Sequence, residues 1–452
     1  MLKKIFNSLE YIFVISSLIL YTGGVLDLVA IDGFSEGDGI YSRTVSANEK
    51  LFVIKQLLYY FTYIASFILL TKTIDKFTKI SAIFSRNIHV LLLVGWAVMS
   101  TTWSELPSLT ASRAVALVGT TIFGIYLANR YTLKAQLLLL RHTFLAIVLL
   151  SIAFAIFLPQ YGVMGALHAG AWRGIYTHKN ELGRMMALGA IVLLMQPGSE
   201  GENKMLSLQT RSIGTLKQYI PSQTKENSSF YTFFGLIAAI GLIFLSRSSG
   251  GIVNLVGISI VLGIFKISQL RLYQRFFSIL GTVVLFSILA VIIVPNPEMI
   301  FASIGKSSDL TGRGDLWDIL LDMLSTRPLL GFGYGIFWEN YGLIVALAAG
   351  WDVPHAHNGF LDLTLGVGLL GLGLFTIGYF YTFVKGLVRF RNSQSDENIY
   401  PLVVLIYIII SNISETGLFS YNNIYWLLFV TLSHSMVVWD KKNILPPNPQ
   451  FF

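Results

Sequence analysis

Long apolar stretches, broken by shorter polar ones, run through almost the whole chain. About 17–25 consecutive apolar residues are enough to cross a bilayer as one helix. About twelve such stretches occur, near 10–30, 51–70, 88–103, 112–128, 137–158, 181–196, 229–246, 251–267, 277–295, 359–384, 400–412 and 423–439. The seventh and eighth follow each other almost directly, which predicts a tight helical hairpin. The first run, from Tyr11, follows Lys3 and Lys4 and lacks a small-x-small cleavage site, so it reads as a retained span. The expected fold class is an all-α integral membrane protein, a single polytopic domain over residues 1–452 with about 12 transmembrane helices.

Composition agrees: 54% of the residues are hydrophobic and only 12% charged, against about 25% in soluble domains. The net charge of +8 invites a nucleic-acid reading, but the placement of the charges explains it otherwise. Lys72, Lys76, Lys79 and Arg86, then Arg130, Lys134 and Arg141, then Lys385, Arg389 and Arg391, all fall in alternate connecting segments. Basic loops stay on the cytoplasmic side, so both termini are expected there and no nucleic-acid partner is. Loop 197–228 is polar and carries no assigned chemistry. With no cysteine, neither disulfides nor thiolate chemistry is available.

The remaining segments, 31–50, 104–111, 159–180, 246–250, 296–358 and 413–422, are assigned to the outer side. The longest, 296–358, contains Asp315–Leu324, with Asp315, Asp318 and Asp322 on one helical face and apolar residues on the rest. This predicts an amphipathic helix on the outer membrane surface. Trp103, Trp172, Trp317, Trp338 and Trp351 read first as an interfacial aromatic belt.

Four outer constellations could carry chemistry. In WRGIYTHKNELG, Arg173, His178 and Lys179 lie just before the sixth span, and Asn180 is placed to cap that helix. Arg184 reads as a snorkelling side chain. In SRSSGG, Arg247 sits in a turn of a few residues, and Ser248 or Ser249 can cap the eighth span. In LTGRGDLW, glycines flank Arg313. In PHAHNG, His355 and His357 precede Asn358, which can cap the tenth span. A lone His-x-His pair is weak evidence for a metal, and none is assigned. His357 suits a general base, because imidazole titrates near neutrality. Asp362, five residues on, is off the His357 face by helix spacing. Three helix N-termini beside basic residues favour an anion, and arginines add bidentate donors suited to phosphate.

These residues resemble the O-antigen ligase and Wzy-type polysaccharide polymerase superfamily over roughly 165–385. His357-Asn358, nine residues, Gly368, two residues and Gly371 are similar to its His-Asn signature. SRSSGG and TGRGDLW look like its two arginine motifs, and RGIYTHKNELG resembles the exopolysaccharide polymerase variant. Gly251 departs from the aliphatic residue expected four positions after the first arginine. The resemblance implies a GT-C-like, cofactor-free, metal-independent inverting glycosyltransferase in the bacterial plasma (inner) membrane, its active site on the outer, periplasmic face. The implied donor is an undecaprenyl-pyrophosphate-linked oligosaccharide, and the acceptor lipid A–core or a growing glycan. His357 would be catalytic, Arg247, Arg313 and Arg173 would bind pyrophosphate, and His178, Lys179, Asn180, Asn358 and His355 would support them. The motifs leave ligase and polymerase both open, with RGIYTHKNELG leaning toward polymerase.

Two other classes compete. A transporter or flippase of an anionic lipid-linked sugar would place charge near span centres, whereas these spans are nearly free of it. A non-catalytic envelope scaffold would tolerate substitution of His357 and Arg313.

Overall fold

The computed structural model describes residues 2–24, 49–73, 87–165, 168–195, 225–268, 313–351, 353–392 and 395–438. Its helices are α1 (Leu2–Tyr21), α2 (Glu49–Thr73), α3 (Ile88–Met99), α4 (Pro107–Arg130), α5 (Leu133–Phe157), α6 (Lys179–Leu194), α7 (Lys225–Leu245) and α8 (Ser249–Ser268). They continue with α9 (Arg313–Ser325), α10 (Phe337–Ala349), α11 (Gly359–Asn392), α12 (Asp396–Ser414) and α13 (Ile424–Val438). Six of them, α2, α4, α5, α8, α11 and α12, are long and apolar enough to cross a membrane, and shorter apolar helices lie in α1, α3, α7 and α13. Residues 196–224 lie outside the described residues, as do 269–312, which include the expected span 277–295 and the first part of the long loop 296–358, most of segment 31–50 and the tail from 439.

The outward surface of the bundle is apolar. Leu57, Phe61, Ile64 and Phe67 on α2, and Phe230, Phe233 and Phe234 near the start of α7, are exposed. That suits lipid, whose tails are as apolar as leucine. Helix α6 is the opposite case: every residue from Leu182 to Leu193 is buried, because α5, α7 and α8 surround it. Its crossing with α8 is very close. A Cβ on Gly251 would lie 2.8 Å from the Gly183 Cα, so the aliphatic residue expected at 251 has no room here.

Helix α11 is broken at Gly368, whose φ of 71° and ψ of −178° leave the helical region. The break frees backbone groups that the segment after α9 takes up. Phe332 and Gly333 N–H donate to the Leu365 and Gly366 carbonyls at 2.8 and 2.9 Å, and Leu369 N–H donates to the Pro328 carbonyl at 2.8 Å. A Cβ on Gly368 would collide with the Leu329 carbonyl. The strap 328–333 therefore docks into the break and fixes α9 and α10 over the head of α11.

Helix α9 has the expected amphipathic pattern, but its apolar face does not lie on the membrane. Leu316, Leu320 and Leu324 are buried with Phe332, Ile336 and Phe337 in a second core, while Asp315, Asp318 and Asp322 point outward. Several of the tryptophans likewise hold protein to protein. Trp317 Nε1 donates to the Ala356 carbonyl at 2.9 Å, Trp338 Nε1 to Asp362 at 2.7 Å and Trp103 Nε1 to the Leu330 carbonyl at 3.2 Å.

Candidate functional site

The turn before α11 carries the histidine pair, and each of its backbone groups has a reason to be where it is. Asn358 Oδ1 accepts from Phe360 and Leu361 N–H at 3.0 and 3.2 Å, capping α11. Ala356 N–H donates to both oxygens of Asp362 at 3.3 Å, and the Thr416 hydroxyl donates to the same carboxylate. Asp362 thus holds the turn rather than the His357 ring. His357 itself has φ 50°, a left-handed conformation that is uncommon without glycine and clusters at functional positions.

The imidazoles are tilted at 59° to each other, ring centroids 4.1 Å apart. His355 Nδ1 accepts the His357 backbone N–H at 3.2 Å, so a neutral His355 carries its proton on Nε2. That Nε2 lies 3.9 Å from Glu415 Oε2, and His357 Nδ1 lies 3.7 Å from the same oxygen. At 3.7 Å the His357 Nδ1 faces Glu415 without a hydrogen bond, buried and unpartnered, so a small closing movement would be needed for the carboxylate to accept from Nδ1 and leave Nε2 as the basic nitrogen. Burial, followed by the neighbouring His357, pushes His355 down to about 3. It is therefore neutral at physiological pH.

Glu415 stands just past the end of α12 and gathers the positive groups. Burial alone would raise its carboxyl, but His357, Arg184 and His355 outweigh burial and hold it well below the usual range. Arg313 Nη2 approaches its Oε1 at 3.8 Å, while Arg313 Nη1 donates to the Ser414 carbonyl at 2.9 Å. Asn180 Nδ2 donates to Glu415 Oε1 at 3.4 Å. Arg184 does not snorkel: it is buried in α6 and its Nη1 donates to the Thr416 carbonyl at 3.3 Å.

The sequence assigns Glu415 no role, and it makes Arg184 a snorkelling cation where the structure makes it a buried one. The signal was present for both, as ionisable residues set within or at the edge of apolar spans, where charge is expensive and usually functional.

The other expected residues join from α6 and α8. His178, not Asn180, caps α6, its Nδ1 accepting from Asn180 N–H at 3.2 Å. Burial, then His168 beside it, lowers His178 to about 4. Ser248 Oγ accepts from Gly251 N–H at 3.1 Å at the start of α8. Arg247 has φ 49° and is exposed, its Nη1 donating to the Ala169 carbonyl at 3.3 Å. Lys179 Nζ donates to the Arg247 carbonyl at 3.1 Å, so the turn of Arg247 rests on the same helix end that sends Asn180 to Glu415. Arg173 is buried and turned into its own loop, where Nε and Nη2 donate to the Tyr161 and Gln160 carbonyls at 2.7 and 3.1 Å.

One ligand atom from each of His355, His357 and Glu415 lies within 4.8 Å of the others, a trio that could hold a metal ion. The sequence reading missed it because Glu415 is far from the pair along the chain.

The chain is thus a helical protein with several spans long and apolar enough to cross a membrane, in which Arg313, Arg184 and the His355–His357 pair meet around Glu415, and its sequence is similar to polysaccharide ligases and exopolysaccharide proteins. Residues 234–376 match the family described as O-antigen ligase, and the chain resembles the wider O-antigen ligase and Wzy-type superfamily. It is 27% identical over 173 residues to the exopolysaccharide production protein ExoQ of Rhizobium meliloti, covering 36% of this chain and 39% of that protein. It is also 27% identical over 192 residues to a Rickettsia felis protein named "Putative polysaccharide ligase", covering 41% and 43% of the two chains. Each match spans less than half the length of the relative.

Proposed function

We propose that this protein transfers a glycan from an undecaprenyl-pyrophosphate donor to a sugar hydroxyl of an acceptor, at the outer face of the bacterial plasma membrane. The observation that carries the reading is the position of His357, with Nδ1 toward Glu415 and Arg313 reaching the same carboxylate. In the reaction, His357 Nε2 takes the proton of the acceptor hydroxyl as its oxygen attacks the anomeric carbon. The bond from that carbon to the pyrophosphate oxygen breaks, and the configuration inverts. Arg313 and Arg247 stabilise the charge on the departing pyrophosphate, help of the oxyanion-hole kind, and Arg173 shapes the loop that presents His178 and Lys179.

We read the His355–His357–Glu415 trio as an oriented base rather than a metal site. A dication would enter a cluster with a single carboxylate and with Arg313 and Arg184 already facing it. Arginines do here what a metal does for pyrophosphate elsewhere.

The resemblance of RGIYTHKNELG to exopolysaccharide polymerases, together with the ExoQ match, favours a polymerase over a ligase. Purified protein is supplied with lipid-pyrophosphate-linked oligosaccharide, with and without lipid A–core, and products are read by gel and mass. Ladders without added acceptor mark a polymerase, and product only with lipid A–core marks a ligase. His357→Ala should abolish turnover while donor still binds, and Arg313→Ala should weaken donor binding. Normal turnover by His357→Ala would remove the general-base role, and unchanged donor affinity in Arg313→Ala its pyrophosphate role.

A further inference from the structure

Beside the histidine pair lies a cavity of about 250 Å³ that none of the arginines enters. Its walls come from the start of α10, the head of α11 and the loop 416–421, and His355 forms one edge. We propose that this cavity is the acceptor subsite and that it takes one uncharged sugar ring, an inference that rests on the glycosyl-transfer reading above.

The walls have the chemistry of a sugar site. Trp338, Tyr334 and Tyr421 line it, and the first two are locked in place. Trp338 Nε1 donates to Asp362 at 2.7 Å, and the Tyr334 hydroxyl donates to the Phe419 carbonyl at 3.1 Å. The Arg113 guanidinium stands 6.0 Å from the centre of the Tyr421 ring. Aromatic faces fixed in this way offer apolar area to a ring of C–H groups at little entropic cost. Polar groups remain to read its hydroxyls. Among the described residues the Ser420 and Tyr421 hydroxyls have no hydrogen-bond partner, and both line the cavity.

Charge and size narrow the ligand. No lysine or arginine lines the cavity. His355 is its one basic wall, and its Nε2 faces Glu415 at 3.9 Å rather than the cavity's aromatic side. Asp362 is already engaged by Trp338, Thr416 and the Ala356 N–H. Arg113, behind Tyr421, is paired with Glu339 at 2.6 Å, so no lysine or arginine among the lining residues offers an anion a countercharge. The volume is just under the roughly 300–1,000 Å³ of sites for drug-sized ligands, which suits a single ring and not a polyprenyl chain. Because His355 edges the cavity and its ring is 4.1 Å from that of His357, a sugar held here brings a hydroxyl up to the proposed base.

The test uses the full-length protein in lipid nanodiscs, with the lipid-free oligosaccharide released by mild acid from the cell's own lipid-linked donor. Its binding is followed by saturation-transfer NMR and its use as acceptor by steady-state kinetics. Tyr421→Ala should raise the acceptor KM about tenfold, equivalent to about 1.4 kcal/mol, and weaken oligosaccharide binding in parallel, with the donor KM unchanged. Tyr421→Phe should restore most of both, and a thermal melt confirms that each variant is folded. An unchanged acceptor KM in Tyr421→Ala, with wild-type turnover intact, overturns the subsite and leaves glycosyl transfer standing. Binding that depends on Tyr421 in a protein that makes no product keeps the sugar pocket and overturns the transfer reading. Oligosaccharide that binds wild type and Tyr421→Ala equally overturns the subsite in either case.

Discussion

His357 Nδ1 lies 3.7 Å from Glu415 Oε2, and Glu415 is drawn well below the ordinary carboxylate range by that contact and by Arg184 despite its burial. A buried carboxylate facing Nδ1 holds an imidazole in the tautomer that leaves Nε2 basic. Glu415→Gln keeps the volume and removes the charge. General-base help is worth about 10²–10⁴-fold, so kcat should fall by about 10²-fold or more with donor KM little changed. Turnover within a few-fold of wild type would mean that His357 needs no such partner.

Acid should destabilise the protein through its depressed histidines. His355 and His178 titrate near 3 and 4 in the fold, mainly through burial, against about 6.5 in an unfolded chain. Between those values the unfolded chain binds more protons, so stability rises with pH across the window. It is fully present above about 6.5 and is lost as the pH falls toward 3. The melting temperature in detergent should drop between pH 7 and 5, and less steeply in His355→Asn, whose amide oxygen can still accept the His357 N–H. Parallel slopes for the two proteins would show that His355 is not the group responsible.

Much of the fold was legible because lipid-facing helices advertise themselves by length and hydropathy, and the arginines of the short connecting segments by their rarity. What the sequence concealed was pairing across the chain. Asp362 accepts its hydrogen bonds from Trp338, Thr416 and the Ala356 N–H, and nothing local pointed to Glu415, which reaches the site because α12 ends beside α11. Arg184 looked like an interfacial cation because sequence position alone does not show that α6 is enclosed on all sides. The amphipathic pattern of α9 was real, yet an apolar stripe does not say whether lipid or protein covers it. Gly251 looked anomalous in a linear motif and is explained by its close approach to Gly183, a contact between two helices.

Chelation distinguishes the two uses of the histidine cluster. His355, His357 and Glu415 are close enough to bind a metal, and a bound ion requires both imidazoles to act as ligands. Protein treated with EDTA and dialysed should keep its full rate of product formation, and added zinc should inhibit by occupying the Nε2 and Nδ1 positions. A rate that vanishes with EDTA and returns with a stoichiometric divalent ion would replace the oriented-base mechanism by a metal-assisted one.

The break at Gly368 ties the signature glycine to the chemistry at a distance. Its φ of 71° with ψ of −178° belongs to a region occupied almost only by glycine, and a side chain there would meet the Leu329 carbonyl. The strap 328–333 depends on the backbone groups that the break exposes, and α9, with Arg313 at its first residue, is held through that strap. Gly368→Ala should therefore undock the strap as well as strain α11, at a cost of about 1–3 kcal/mol. The expected result is a lower melting temperature, faster amide exchange over 328–333 and weaker donor binding, with no change at the His357–Glu415 pair. If exchange over the strap is unaltered while donor binding falls, the glycine acts on the site by another route and the strap does not position Arg313.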